Sequence, residues 1–164
     1  MTTTTANKMN ETIQRYVTSF ENLYEGEPWF GRSMMSILRE VPPSRAYKKS
    51  GDGSHSIYEI LQHMVAWREL FVSRLNGDTT TNIQINSSLD WGGHPTAQTA
   101  ENWDRLLTRL SENQHALVNA LKQKEDSLLE EEFANSNSTL ATHLEGNLQH
   151  DIYHLGQIAI LNKW

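Results

Sequence analysis

Histidine is the residue of this chain whose number and spacing point most directly to chemistry. The sequence contains seven histidines and no cysteine among 164 residues. The absence of thiols excludes disulfides, iron–sulfur clusters, thiolate zinc sites and cysteine nucleophiles. Imidazole nitrogen and carboxylate oxygen remain as metal ligands. The positions of the histidines therefore decide whether a metal site is predicted.

Two histidines near the carboxyl end of the sequence are four residues apart. On a helix, His150 and His154 would lie one turn apart and about 40° apart around the axis, beside the apolar face. Their Cβ atoms would be about 6 Å apart, so that both imidazoles could reach one ion. Surface histidines share this spacing by chance, so the pair alone is weak support for a metal site.

A third histidine, His63, lies within the apolar stripe of another predicted helix and should point inward. A single inward histidine is more often a core residue whose ring nitrogens find partners. An inward histidine opposite an i, i+4 pair is the arrangement that helix bundles use to hold metal ions. Together, His63, His150 and His154 could supply three nitrogens and leave one coordination position open, as catalytic zinc sites do.

The remaining histidines fit such a site less well. His143 would lie about 10 Å from His150 along the helix axis, which is too far to share its ion. His115 falls in a polar stretch and is expected to be solvated. His55 lies at a helix start and His94 in a long loop, and no spacing argument connects either to the site.

The segment from His150 to His154 also resembles the H-E-x-x-H motif of zinc proteases. Asp151 stands in place of the glutamate and is one methylene shorter, and the chain lacks the strands of that protease fold. A protease is therefore disfavoured. Three roles stay open for Asp151: a catalytic base, a partner of a metal ligand, or a charge on the helix surface, of which the surface charge is the expected one.

Helical periodicity predicts the elements that position these residues. Apolar residues recur every three or four positions in four long segments, near residues 13–24, 56–75, 99–124 and 138–163, with a shorter piece before Pro42. Ser56 and Glu59 have the spacing of a capping box. No hairpin pattern or internal repeat is present. We therefore predict an all-α protein, a four-helix bundle in a single domain 1–164, with residues 1–8 as a flexible N-terminus.

Residues 78–98, called the crossover below, form an unusually long connection for a small bundle. Their composition is rich in Thr, Asn, Ser and Gly, and they include Trp91 and His94. Two interpretations stay open. The crossover is either a lid or binding loop, or a mobile connection that only joins two parallel helices.

Charge and hydropathy bear on partners and location. The net charge of −6 argues against nucleic acid as a partner, since nucleic-acid binders normally show a basic surface. No apolar run approaches the roughly 18 to 20 residues that span a bilayer, so no membrane partner is expected. The first residues lack an apolar signal-peptide segment, and the expected location is the cytoplasm.

In the segments around His63, His150 and His154, the chain resembles the DinB-like superfamily of metal-binding four-helix bundles, which includes the YfiT-type metal-dependent hydrolases. Residues 145–158 resemble the last helix of that family, and residues 55–67 resemble its second helix. Residues 25–31 are similar to a segment found in one branch. Residues 90–91 and 99–103 are similar to the family's approach to the third helix.

The resemblance implies an up-down-down-up bundle with a long crossover between helices two and three, and frequent homodimers. It assigns the metal ligands to His63, His150 and His154. Relatives are associated with zinc or nickel, and some are thiol-dependent transferases that use bacillithiol or mycothiol.

The leading hypothesis for function is an enzyme that uses one divalent metal ion to hydrolyse a small-molecule substrate with a water at the open position. The first alternative is a metal-dependent S-transferase for a low-molecular-weight thiol. Further alternatives are a non-catalytic metal- or ligand-binding bundle and a purely structural interaction domain. The first two need the same ligands, so the three histidines do not separate them.

Neighbouring residues are expected to orient the imidazoles or to form the wall of a pocket. The candidates for orienting the imidazoles are Glu59, Asn147 and Gln157. The candidates for the pocket wall are Trp29, Trp67 and Trp91, with core packing as the alternative for Trp67.

Overall fold

The computed structural model describes residues 10–92, 97–134 and 136–163. The predicted flexible N-terminus, residues 1–8, and His94 lie outside these ranges. The helices are α1 (Glu11–Glu25), α2 (Met34–Leu38), α3 (Pro43–Ala46), α4 (Ile57–Leu75), α5 (Ser88–Trp91), α6 (Ala100–Lys122) and α7 (Leu140–Leu161), with a 3-10 helix at Asp126–Leu128. None of the described helices combines the length and apolar character needed to cross a bilayer.

The predicted capping box at the start of α4 is confirmed. The Ser56 hydroxyl accepts a hydrogen bond from the Glu59 amide, and the Glu59 carboxylate accepts one from the Ser56 amide at 2.8 Å. Two backbone donors that no helical carbonyl reaches are thereby satisfied. Thr99 caps α6 and Thr139 caps α7. Each hydroxyl oxygen accepts one hydrogen bond from a backbone amide three residues further on. The start of each long helix after α1 is thus fixed by local sequence.

The start of α1 is capped instead by a residue far along the chain. The carboxylate of Asp126 accepts hydrogen bonds from the backbone amides of Thr12 and Ile13, at 2.9 and 2.8 Å. The Asn10 side chain accepts one in return from the Asp126 amide at 3.2 Å. Burial alone would raise the pKa of Asp126, but these hydrogen bonds outweigh burial and lower it. The 3-10 helix is therefore tied to the first turn of α1.

Two apolar clusters define the directions of the four long helices. One cluster joins the amino-terminal halves of α4 and α6 to the carboxyl-terminal halves of α1 and α7. The other joins the carboxyl-terminal halves of α4 and α6 to the amino-terminal halves of α1 and α7. Hence α4 and α6 run parallel, and α1 and α7 run opposite to them. The predicted all-α bundle, up-down-down-up with a long crossover, is confirmed.

The shorter helices lie where the sequence predicts breaks, with one difference. Helix α2 ends before Pro42, as expected, but Pro43 then occupies the first turn of α3. Proline is tolerated there because the first helical amides have no helical acceptor to bond. The crossover also contains a helix, α5, whose first turn is capped by Ser87. Helix α5 carries Asp90 and Trp91, which lie beside the predicted metal ligand His63.

Candidate metal centre

The three predicted ligands meet where α4 faces α7. His63 projects from α4, and His150 and His154 project from α7. One ring nitrogen from each lies within 4.8 Å of the other two. The Nε2 atoms of His63 and His150 are 2.9 Å apart. The structure thus brings together the histidines that spacing selected.

His63 is oriented by Asp90, a residue of the crossover. Its Nδ1 lies 2.8 Å from Oδ1 of Asp90 and 3.0 Å from the backbone oxygen of the same residue. Because both partners are acceptors, the proton of neutral His63 belongs on Nδ1. The lone pair of Nε2 then faces the other histidines. A carboxylate that holds the remote ring nitrogen in this way is a recurring feature of metal-bound histidine.

Asp90 is itself held in place, with a side chain about 3 % exposed. The Trp67 indole donates to Oδ1 at 2.7 Å, and the Asn86 amide donates to Oδ2 at 2.7 Å. Burial alone would raise the pKa of Asp90, but these bonds and His63 outweigh burial and lower it. The carboxylate is therefore ionised near neutral pH. Asp90 was not predicted as an orienting residue, because its only signal was its place beside Trp91 in a non-periodic segment.

His154 is oriented from its own helix. Its Nδ1 lies 2.7 Å from Oε1 of Gln157, one turn further along α7. The amide oxygen is an acceptor, so Nε2 of His154 also carries the lone pair. Gln157 therefore lies where an orienting residue was predicted.

The charge state of the imidazoles suits metal ligation. Burial, reinforced by His154 and His63, lowers the pKa of His150 to about 3. Burial also lowers the pKa of His154, and the hydrogen bond to Gln157 opposes this only in part. Both imidazoles are neutral at neutral pH, which is the form that binds a metal ion. A set of neutral imidazole donors fits a divalent transition-metal ion.

Trp91 covers one side of this cluster. Its indole stacks on the His63 ring, with centroids 4.2 Å apart and planes inclined by 14°. The ring of His55 stacks on the indole as well, at 3.6 Å and 1°. The crossover thus contributes both Asp90 and Trp91 to the surroundings of His63. This supports its interpretation as a binding loop over that of a plain connection.

The other predicted neighbours of the site lie elsewhere or have other partners. Glu59 caps α4 and pairs with Lys49 at 3.0 Å. The Asn147 side chain donates to the His143 carbonyl in its own helix at 2.9 Å. Trp29 is fully exposed, so its prediction as a pocket wall was wrong. Trp67 and Trp91 do lie beside the histidines.

Asp151 is buried, so the expectation of a surface charge was wrong. It has no exposed surface, and its carboxylate pairs with the equally buried guanidinium of Arg68. Arg68 also bonds the side-chain oxygens of Asn113, at 3.1 Å, and Gln114. Burial raises the pKa of Asp151, and Arg68 opposes that rise. The i, i+1 spacing turns Asp151 away from the face of His150, and a catalytic role for it stays a prediction.

Fold and cluster together define a helical bundle with a candidate metal centre between two helices. The profile of the DinB superfamily matches residues 30–158. Since this match covers more than half of the 164 residues, the chain belongs to the DinB superfamily. None of the curated proteins compared with the chain is a match.

A solved structure has the same fold. It is the crystal structure of the colibactin self-resistance protein ClbS in complex with a dsDNA, with a TM-score of 0.62 and 15% sequence identity. The match covers 95% of this chain and 96% of that chain. At this identity the likeness shows the fold alone.

This comparison corrects one expectation. The exclusion of nucleic acid on the basis of the net charge of −6 was wrong, because ClbS, with this fold, is solved with double-stranded DNA. The physical reason is that net charge is a sum over the whole chain. The potential of a particular face depends on the local arrangement of charges and helix ends.

Proposed function

We propose that the chain binds one divalent ion, zinc or nickel, through Nε2 of His63, His150 and His154, and uses it to hydrolyse a small molecule. The observation that carries the proposal is that Nδ1, the ring nitrogen that would not bind the metal ion, has a hydrogen-bond partner in both His63 and His154. Nδ1 of His63 meets Asp90 and Nδ1 of His154 meets Gln157, so the lone pair of each ring is on Nε2. Nε2 of His63 lies 2.9 Å from Nε2 of His150, and one ring nitrogen of each of the three histidines lies within 4.8 Å of the others. Imidazoles oriented for hydrogen bonding alone would not need their lone pairs to converge.

Each residue near the histidines has a role in this proposal. A divalent ion with three neutral imidazoles supplies Lewis acidity and lowers the pKa of a water at its open position to about 7. Asp90 holds the proton on Nδ1 of His63, and Gln157 does so for His154. Trp91 covers the His63 ring and limits water on that side. Asp151 stays a candidate for a catalytic base.

Metal analysis of protein purified without an affinity tag tests the proposal. We expect about one ion per chain in the wild type, and loss of the ion in His63→Ala and in His150→Ala. His115→Ala is the matched control because His115 is exposed on α6. A wild type that takes up no stoichiometric zinc or nickel contradicts the proposal, and so does unchanged occupancy in the two site variants.

The first alternative is the metal-dependent thiol S-transferase. It rests on the same ligands, and the thiol must come from a co-substrate because the chain has no cysteine. Assays of the metal-loaded protein with simple esters, and with bacillithiol plus an electrophilic acceptor, separate the two reactions. Metal uptake with no turnover in either assay supports the second alternative, a non-catalytic metal-binding bundle.

A second candidate function is binding of double-stranded DNA, because ClbS, which shares this fold, is solved in complex with a dsDNA. Fluorescence anisotropy with a short labelled duplex, at low and at physiological salt, tests this directly. Phosphate contacts would make the binding weaken steeply as salt rises. No saturable binding at low salt rejects this candidate.

A further inference from the structure

A groove between α4 and α7 begins at His150 and extends away from the histidine cluster. Its volume is about 260 Å³. Trp67, Leu70 and Phe71 form its wall on α4. On α7 the groove extends from His150 to beyond His143, a distance of about 10 Å for seven helical residues. The groove is therefore long enough for a small molecule whose one end lies at the candidate metal centre.

Arg74 lies at the end of the groove away from His150 and forms no ion pair with a carboxylate of the described residues. Within the described part of the chain, the only partner of the Arg74 side chain is Oδ1 of Asn82, at 3.3 Å. Every other arginine except Arg45 forms an ion pair with a carboxylate. Arg74 is partly buried, and its charge contributes to lowering the pKa of His143 beside it. A partly buried guanidinium beside an apolar groove suits an anionic ligand group.

Gly146 lies along the same groove, in the interior of α7. Glycine inside a helix is destabilising relative to alanine, because it loses more backbone freedom on folding. Close packing does not require glycine here, since an added Cβ would meet no atom within 4 Å. What the missing side chain provides is open space in the groove.

We propose that this groove binds the substrate of the candidate metal centre, and that Arg74 binds an anionic group at the end remote from His150. The inference rests on the proposed function and adds the substrate class. The substrate is a small molecule with a reactive group at one end, an apolar middle against Trp67 and Phe71, and a carboxylate or a phosphoryl group at the other. Arginine recognises both anions through paired, charge-assisted hydrogen bonds.

Hydroxamic acids provide the probes, because the hydroxamate head binds metal ions whatever its tail. We would titrate the metal-loaded protein with hexanohydroxamic acid, with adipic acid monohydroxamate and with the phosphonate analogue of the latter, by calorimetry. We expect one or both anionic probes to bind about ten- to a hundredfold more tightly than the uncharged one. The tighter of the two identifies the anion that Arg74 prefers.

Variants of Arg74 locate the origin of this preference. Arg74→Ala should remove the advantage of the anionic probe, and Arg74→Lys should keep part of it. Arg105→Ala, at an exposed ion pair on α6, should leave it unchanged. An anionic tail that gives no advantage in the wild type, or an advantage that survives in Arg74→Ala, overturns the inference.

Gly146→Leu tests the groove independently of charge. The added side chain should weaken the binding of all three long probes at least tenfold, while the binding of acetohydroxamic acid and the metal content stay unchanged and the melting temperature does not fall. Gly156→Leu is the matched control, since Gly156 also lies exposed on α7 with open space around it. If the long probes bind equally well to Gly146→Leu and to the wild type, the inference about the groove is overturned and the proposed function is unaffected. Failure of the proposed function looks different: no metal is taken up, and acetohydroxamic acid does not bind either.

Discussion

His63 and Trp67, one turn apart on α4, both lie within hydrogen-bond distance of a single oxygen, Oδ1 of Asp90, at 2.8 and 2.7 Å. That oxygen fixes the tautomer of the imidazole and the orientation of the indole together. The aspartate comes from the crossover, twenty-seven residues beyond His63. The nitrogen that α4 offers to a metal ion is thus decided by a segment outside the four long helices.

Asp90→Asn should weaken metal binding while leaving the bundle folded. The neutral amide is a poorer acceptor for the His63 proton, and loss of such partners typically weakens metal affinity about ten- to a hundredfold. Competition against a chromophoric chelator measures the affinity, and far-ultraviolet circular dichroism checks the helices. Asp52→Asn, in an exposed loop, is the control. Wild-type affinity in Asp90→Asn would show that the carboxylate has no part in metal binding.

Arg68→Met should be strongly destabilising because it leaves the Asp151 carboxylate buried without a counter-charge. The expected loss in the free energy of unfolding is about 3–5 kcal/mol, and urea denaturation measures it. The double variant Arg68→Met/Asp151→Leu should recover most of this loss, since no buried charge remains. Arg105→Met, which breaks an exposed pair with Glu101, should cost less than about 1 kcal/mol. Simple additivity of the Arg68 and Asp151 variants would contradict this account.

Gly92→Ala should destabilise the end of α5 for two separable reasons. Gly92 has a φ of +74°, where a side chain costs about 1–2 kcal/mol, and an added Cβ would lie 1.9 Å from the Gln62 side chain. Gln62 donates to the Gly92 carbonyl at 2.8 Å, so the clash should also disturb this bond. Gly53 has a similar φ of +77° and open space around it, so Gly53→Ala measures the cost in stability of a side chain at positive φ without a clash. Urea denaturation of both variants should show the larger loss for Gly92→Ala, and equal losses would argue against the clash.

The cap on α1 should make stability depend on pH in the acid range. The pKa of Asp126 is lower in the folded state than in the unfolded chain, so the unfolded chain binds more protons as pH falls. The stabilisation by Asp126 is complete above the pKa of an aspartate in the unfolded chain, about 3.9. It is lost as the pH falls through the pKa of Asp126 in the folded protein. Asp126→Asn keeps an oxygen acceptor but loses the negative charge at the start of α1, so it should be less stable than wild type by about 0.3–1 kcal/mol at neutral pH.

Urea denaturation at a series of pH values measures this difference. The gap between wild type and Asp126→Asn should stay constant above about pH 5 and should narrow below about pH 4. Asp52→Asn again serves as the control. A gap of constant size across the acid range would mean that the charge of Asp126 does not contribute to the cap.

Periodicity and local spacing were enough to predict the helices and the side of its helix on which each ligand histidine lies, whereas the meeting of the histidines also depends on how α4 packs against α7. His150 and His154 are one turn apart on any helix, and the apolar stripe of α4 directs His63 inward wherever that helix packs. The capping box at Ser56 is likewise a matter of a few adjacent residues. Each of these predictions depends only on the geometry of a single helix.

The partners of these residues could not be predicted in the same way. Asp90 reaches His63 only because of the path that the non-periodic crossover takes, and no repeat specifies that path. Arg68 lies within the apolar stripe of α4, where a charge is unexpected, but its pairing with Asp151 depends on the register between α4 and α7. Trp29 was assigned to the pocket by residue type alone, which does not determine position.

The crossover is attached to the bundle differently from the long helices. In its described part from residue 78 to residue 92, Ile83 is the only buried apolar side chain, and the other buried residue is Asp90. Segments with so little buried apolar surface open at a lower free energy than a helical core. Amides near Asp90 should therefore exchange with solvent before those of α4 and α7. A metal ion would then leave the site at a rate set by the opening of this one segment, while the four long helices stay folded.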